Sequence, residues 1–95
     1  MSIRFTWDPE KDKLNIQKHE GVTFTEAATV FRDSLAYIFD DEDHSVQEHR
    51  ELIIGFSNQK RLLIVSFTER NDLIRIISAR KANAKERQNY EKAKR

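Results

Sequence analysis

The 95-residue chain has no cysteine, one proline and two glycines, and each scarcity excludes something. Without cysteine there is no disulfide and no Cys-ligated zinc to staple a small core. A domain of this length buries only about 60–65% of its unfolded surface, so its stability must come from packing, from a partner, or from both. No apolar run approaches the ~20 residues that a membrane-spanning helix needs. The first ten residues also lack the basic-then-apolar layout of a secretory leader, so the expected location is the cytoplasm, with no membrane contact. There is no glycine-rich phosphate loop, no HExxH, no GxSxG and no repeat of fixed period. Nucleotide hydrolysis and zinc proteolysis are disfavoured, and no cofactor is expected. At 38% apolar and 35% charged residues, the chain is polar yet still above the apolar-poor compositions that stay disordered. One folded domain over residues 1–95 with a thin core is therefore expected.

The net charge of +1 is a sum over unlike pieces. Residues 40–51 carry six acidic side chains against one basic, and residues 80–95 carry seven basic against two acidic. The acidic stretch is Asp40, Asp41, Glu42 and Asp43; the basic end includes Arg80, Lys81, Lys85, Arg87, Lys92, Lys94 and Arg95. A basic tail is an electrostatic footprint for a phosphate backbone. It is equally the ordinary make-up of a solvated helix end, because cations favour helix C-termini.

Ile3, Phe5 and Trp7 alternate with Arg4 and Thr6 as a short strand does. Asp8-Pro9 then opens a helix, with aspartate as cap and proline preset at the first position; it runs to about His19, and Gly21 ends it. Its aliphatic residues Leu14 and Ile16 lie far apart around the helix, which predicts a solvent-facing element. Lys11, Asn15, Lys18 and His19 fall on or near one face and could meet an anion together. Thr23 and Glu26 form a capping box, after which Phe24, Ala27, Ala28 and Phe31 mark the core helix. Leu35–Phe39, Arg50–Ser57, Arg61–Thr68 and Leu73–Arg80 read as four strands, joined after the acidic stretch by the turns Asn58-Gln59-Lys60 and Arg70-Asn71-Asp72. They make an antiparallel meander. Asn83 and Glu86 form a second capping box for a final helix whose one large apolar residue, Tyr90, predicts weak docking. The order is β-α-α-β-β-β-β-α, an α+β domain with helices on one sheet face and the other face or its rim left for binding.

Several clusters could carry chemistry, and each has a plainer reading beside it. Asp41, Asp43, His44, Glu48 and His49 could be imagined around a hard metal, but no ligand spacing fixes a geometry, so a solvated acidic loop is the reading taken and no metal is assigned. Glu48 and Arg50 share a strand face, and Arg75 is placed with Ile77 and Ala79 on the last strand. Glu48 or Glu51 could form a cross-strand ion pair with Arg75, or the carboxylate and guanidiniums could address a phosphate. Arg80 and Lys81 lie just before the free N–H groups of the last helix, a junction suited to an anion or simply a solubilising cluster. Trp7 and Tyr90 could stack on bases or belong to the core.

Taken together, particular residues are similar to a known family. Phe5-x-Trp7-Asp8-Pro9-x-Lys11-x3-Asn15-x2-Lys18-His19 opens the pattern, and Gly21-Val22-x-Phe24-x-Glu26-Ala27 with Val30-Phe31 continues it. Glu48-x-Arg50 with Ile54-Gly55 follows, then Ile74-Arg75-Ile76-Ile77-Ser78-Ala79-Arg80-x-Ala82 and Glu86-Arg87-x2-Tyr90. This closely resembles the BrnT family over nearly the whole chain; the acidic stretch Asp40 to His44 is not part of the pattern. The resemblance implies a RelE-like fold and the toxin of a type II toxin–antitoxin system, which degrades RNA and inhibits translation and growth. It also implies a BrnA-like antitoxin with a ribbon-helix-helix domain, through which alone the complex reaches operator DNA and represses its own operon.

Metal-independent RNA cleavage needs a base for the 2′-hydroxyl proton, an acid for the leaving 5′-oxygen, and cations for the charge gained by the phosphate in the transition state. His19 and Glu48 are the acid–base candidates, Arg80 and Arg50 the phosphate ligands, and Lys18 and Arg75 the residues that hold the strand. Histidine suits either role because it titrates near neutrality. A non-catalytic nucleic-acid-binding module, a metal-dependent hydrolase and a protein acting by association alone are the competing classes.

Overall fold

A computed structural model describes residues 3–44 and 48–93. Strand β1 (Arg4–Thr6) leads into helix α1 (Pro9–Lys18), then α2 (Phe24–Thr29), which tightens into a 3₁₀ turn at Val30–Arg32. Strand β2 (Tyr37–Asp40), a second 3₁₀ turn at Glu42–His44, and strands β3 (Glu51–Phe56), β4 (Leu62–Arg70) and β5 (Leu73–Lys81) precede helix α3 (Ala84–Ala93). The α+β order matches the expected one. Asp8 caps α1 by accepting from the Glu10 N–H at 2.9 Å, and Gly21 closes its exit at φ 76°. Asn71 and Asp72, both with positive φ, make the tight turn between β4 and β5, the geometry that matches strand twist.

The sheet order is β1-β5-β4-β3-β2. Strands β2 to β5 form the expected antiparallel meander, while β1 adds in parallel to β5, with Thr6 opposite Arg75. One face packs on α2 and its surroundings: Val22, Phe24, Ala27 and Val30 meet Ile53, Leu63, Val65, Phe67, Ile74, Ile76 and Ala79. Gly55 is required here, since a Cβ at that position would come within 2.8 Å of the Ala36 Cβ.

Two expectations about the helices are corrected. Helix α3 does dock: Tyr90 is 1% exposed and packs with Ile54, Leu62 and Ile64 on the second sheet face. Its hydroxyl donates to Asp33 Oδ2 at 2.7 Å, and its ring stacks near Tyr37 and meets Phe56 edge-on, so one aromatic anchor replaces the missing apolar stripe. Helix α1 presents Lys11 and Lys18 to solvent as expected, but Asn15 is buried, because its carboxamide binds the main chain of Val22 and Ala79. The Thr23–Glu26 capping box is half made. Thr23 Oγ1 accepts from the Glu26 N–H at 3.0 Å, but the Glu26 side chain turns inward to Ser57 and Arg61.

Candidate active site

The site is the part of the second sheet face that α3 leaves uncovered. A β-bulge creates it. Ser66 opposes Ser78, yet the next residue of β4, Phe67, opposes Ile76, so Ile77 is the extra residue. Arg75 and Arg80 are five positions apart, an odd spacing that would aim them to opposite faces of a regular strand. The bulge restores the parity, so that Ile76 and Ala79 both enter the core, and Arg75, Ser78 and Arg80 share the other face. This overturns the placement of Arg75 with Ile77 and Ala79.

Three rows cross that face. Thr6, Arg75 and Thr68 lie side by side on β1, β5 and β4; Ser78, Ser66 and Leu52 form the next row; Arg80, Ile64 and Ile54 the third. A hollow of about 450 Å³ lies over the second and third rows, and its lining includes His19, Arg50, Ser66, Ser78 and Arg80, with Asp41 and Asp43 on its wall. A hollow of about 550 Å³ over the first row is lined by Thr6, Thr68 and Arg75, with Glu48, His49, Glu69 and Arg70 around it.

Three of the six candidates thus come together, His19 from the end of α1, Arg50 from the entry to β3 and Arg80 from β5. Glu48 and Arg75 occupy the neighbouring hollow, and Lys18 lines neither. Glu48 links the two. Both its oxygens lie 2.9 Å from Arg75 Nη2, and Oε1 is 3.5 Å from Arg50 Nε. Hydrogen bonding from Arg75, helped by the charges of both arginines, holds the Glu48 carboxyl below its ordinary range. Of the ion pairs read from sequence, Glu48 with Arg75 is the one that forms.

Arg80 is held by the last capping box. Its Nη1 and Nη2 donate to the two oxygens of Glu86 at 2.8 Å each, while Glu86 Oε1 also accepts from the Asn83 N–H at 2.8 Å. The hydrogen bonds from Arg80 push the Glu86 carboxyl down and that from Glu86 pushes the guanidinium up. A guanidinium pinned in this way keeps its charge and loses its rotamer freedom, which is how a transition-state cation is preorganised. The hydroxyls of Ser66 and Ser78 went unread in the sequence. Ser66, the only polar residue within the run Leu62–Phe67, was the available signal.

Among the described residues, the histidine and carboxylates that gather are Asp40, His49 and Glu51, which share only His49 with the five named from the sequence; His49 Nε2 is 3.3 Å from Asp40 Oδ1. Asp40 and His49 are exposed and Glu51 half-buried, and exposed acidic groups are common without an ion. The side chain of His44 is outside the described residues, as are Lys94 and Arg95. Trp7 is half-buried against the core and meets Phe24 edge-on, and Tyr90 is core.

An α+β domain with a preorganised arginine, a histidine and hydroxyls in one sheet-face hollow has the make-up of a small phosphodiester-processing protein. The chain belongs to the BrnT family, described as the ribonuclease toxin of a type II toxin–antitoxin system, whose model matches residues 7–86. Its fold is that of the crystal structure of the ribonuclease toxin BrnT of Brucella abortus, at a TM-score of 0.65 and 24% identity over 86% of this chain and 99% of that one. No curated protein matches. No helix among the described residues is long and apolar enough to cross a membrane.

Proposed function

We propose that this chain, as one domain, is a metal-independent endoribonuclease that acts in the cytoplasm and arrests growth and translation by cutting RNA. The observation that carries the reading is the meeting of His19, Arg50 and Arg80, from three distant parts of the chain, in one hollow on an otherwise open sheet face. The scissile phosphate lies against Arg80 and Arg50, which stabilise the charge it gains as the 2′-oxygen attacks. Glu48, kept ionised by its arginines, accepts the 2′-hydroxyl proton, and His19 donates one to the leaving 5′-oxygen. Lys18 and Arg75 hold the flanking strand. The products are a 2′,3′-cyclic phosphate and a free 5′-hydroxyl.

The partner in this reading is a BrnA-like ribbon-helix-helix antitoxin, through which the pair represses its own operon on operator DNA. The half-exposed Leu35, Ile38 and Phe39 lie in and beside β2, an edge strand with one side unpaired in the sheet, and an apolar open edge supports a protein partner that pairs with it.

Labelled RNA incubated with the protein in chelator tests the activity. Cleavage with cyclic-phosphate ends is expected, and Arg80→Ala is expected to slow it about 10²-fold or more. Binding without new ends, or an Arg80→Ala protein as fast as the parent, would sink the assignment.

A further inference from the structure

The hollow over the first row has the chemistry of a second phosphate site. Arg75 stands at its centre with Thr6 and Thr68 directly beside it across the sheet. Glu48 engages only Nη2 of the Arg75 guanidinium; among the described residues Nε and Nη1 have no partner, and the side chain is 43% exposed. One end of the fork is fixed and the other offers donors to an anion, the geometry in which guanidinium takes phosphate oxygens. The threonine hydroxyls add neutral donors that suit a sugar or a phosphate. Glu69 and Glu48 offset the positive charge of Arg70 and Arg75 around the hollow, so it favours an anion aimed at Arg75 over indiscriminate phosphate binding.

The bulge at Ile77 makes this hollow and the catalytic one neighbours on a single face. With the bulge counted out, Arg75 and Arg80 are four strand positions apart, about 13 Å at ~3.3 Å per residue. That exceeds the spacing of adjacent phosphates in a chain and suits two phosphates separated by an intervening one. We propose that this hollow is a second nucleotide subsite, in which Arg75, Thr6 and Thr68 hold a non-adjacent phosphate of the same single RNA strand whose scissile phosphate lies at Arg80; it rests on the ribonuclease reading above. The substrate is therefore an extended strand longer than a dinucleotide, laid along β5 from Arg80 to the row of Thr6, Arg75 and Thr68.

The test uses an RNA whose cut position by the parent protein has been mapped. It is shortened one nucleotide at a time from each end, and single phosphates are replaced by uncharged methylphosphonates. The parent is expected to lose about tenfold in kcat/KM, through KM, when the phosphate two steps from the cut on one side is removed or neutralised. Arg75→Gln is expected to show that loss already on the full RNA and no further loss on shortening, with unchanged melting. Thr68→Val is expected to show the same pattern in weaker form. Identical length profiles for parent and Arg75→Gln, or a Thr68→Val defect in kcat on the shortest cleaved RNA, would overturn the subsite and leave the ribonuclease reading standing. Failure of the parent to cut any RNA would overturn both.

Discussion

The carboxamide of Asn15 grips both main-chain groups of Ala79, accepting from its N–H at 3.0 Å and donating to its carbonyl at 2.8 Å. Strand β1 ends at Thr6, opposite Arg75, so the outer edge of β5 beyond that point has no strand to pair with. Asn15 supplies one residue's worth of strand there. Its remaining amide proton goes to the Val22 carbonyl at 2.9 Å, which fixes the turn leading out of the helix. Helix α1 is thus fastened to β5 between Ser78 and Arg80, and its C-terminal end brings His19 to the hollow.

Asn15→Ala would leave buried N–H and C=O groups unpaired, at about 1–3 kcal/mol each. With three such groups, a total loss of about 3 kcal/mol or more is expected in urea denaturation. Asn15→Asp should fare no better despite its matching shape, because a carboxylate cannot donate to two carbonyls. Recovery of stability by aspartate would show that the amide does not act as described.

Glu26 is buried, and it accepts from Ser57 Oγ at 2.6 Å and from Arg61 Nε at 2.9 Å, with Arg61 Nη2 on its other oxygen. Burial pushes its carboxyl up, but the hydrogen bonds from Arg61 and Ser57 together with the Arg61 charge outweigh burial and leave it below the ordinary 4.5. A lowered folded value means that the group's contribution is complete above about pH 4.5 and drains away as the pH falls through the folded value. Glu26→Gln should therefore be less stable than the parent at pH 7, by about 3 kcal/mol if the loss of one partner of a buried pair is typical. The gap should narrow on acidification. A gap constant from pH 7 to 3 would contradict the ionised pair.

Tyr90 is the anchor of α3, and burial, with Asp33 beside it, raises its hydroxyl to about 12. Because the folded value is raised from 10.0, the stabilisation is complete below pH 10 and is lost as the pH rises through about 12. Tyr90→Phe keeps the ring and should cost about 1 kcal/mol; Tyr90→Ala should cost about 3–5 kcal/mol. If phenylalanine proved as costly as alanine in denaturant titrations, the hydroxyl and not the ring would be the anchor.

Glu48 stands between the guanidiniums of Arg75 and Arg50, which the proposed mechanism assigns to the RNA phosphates. Glu48→Gln removes the competing negative charge, so RNA should bind more tightly, with a steeper salt dependence, while turnover falls about 10²-fold or more for want of the base. Filter binding and single-turnover cleavage on the same RNA separate the two effects. Unchanged turnover would remove Glu48 from the proton transfers and leave it a positioning residue for Arg75.

Local signals determined the elements. Asp8-Pro9, the 3.6-residue spacing of Phe24, Ala27, Ala28 and Phe31, the alternating runs after Arg50 and the turn at Asn71-Asp72 each act within a few residues, and each is legible because propensity and periodicity are properties of short windows. The family pattern in the chain, and with it the toxin class, was equally a property of the residues in order. Partnerships between distant residues were not legible. The parallel pairing of β1 with β5, the docking of Tyr90 and the hold of Asn15 on Ala79 join residues 57 to 69 positions apart, and no local pattern encodes which partner will be met. The bulge at Ile77 is the sharpest case. Strict alternation on β5 assigns Arg75 and Arg80 to opposite faces, and only the pairing with β4, where Ser66 meets Ser78 while Phe67 meets Ile76, turns both arginines to the same side. The sequence alone supplied the charged groups; the register between two strands decided that they lie on one surface.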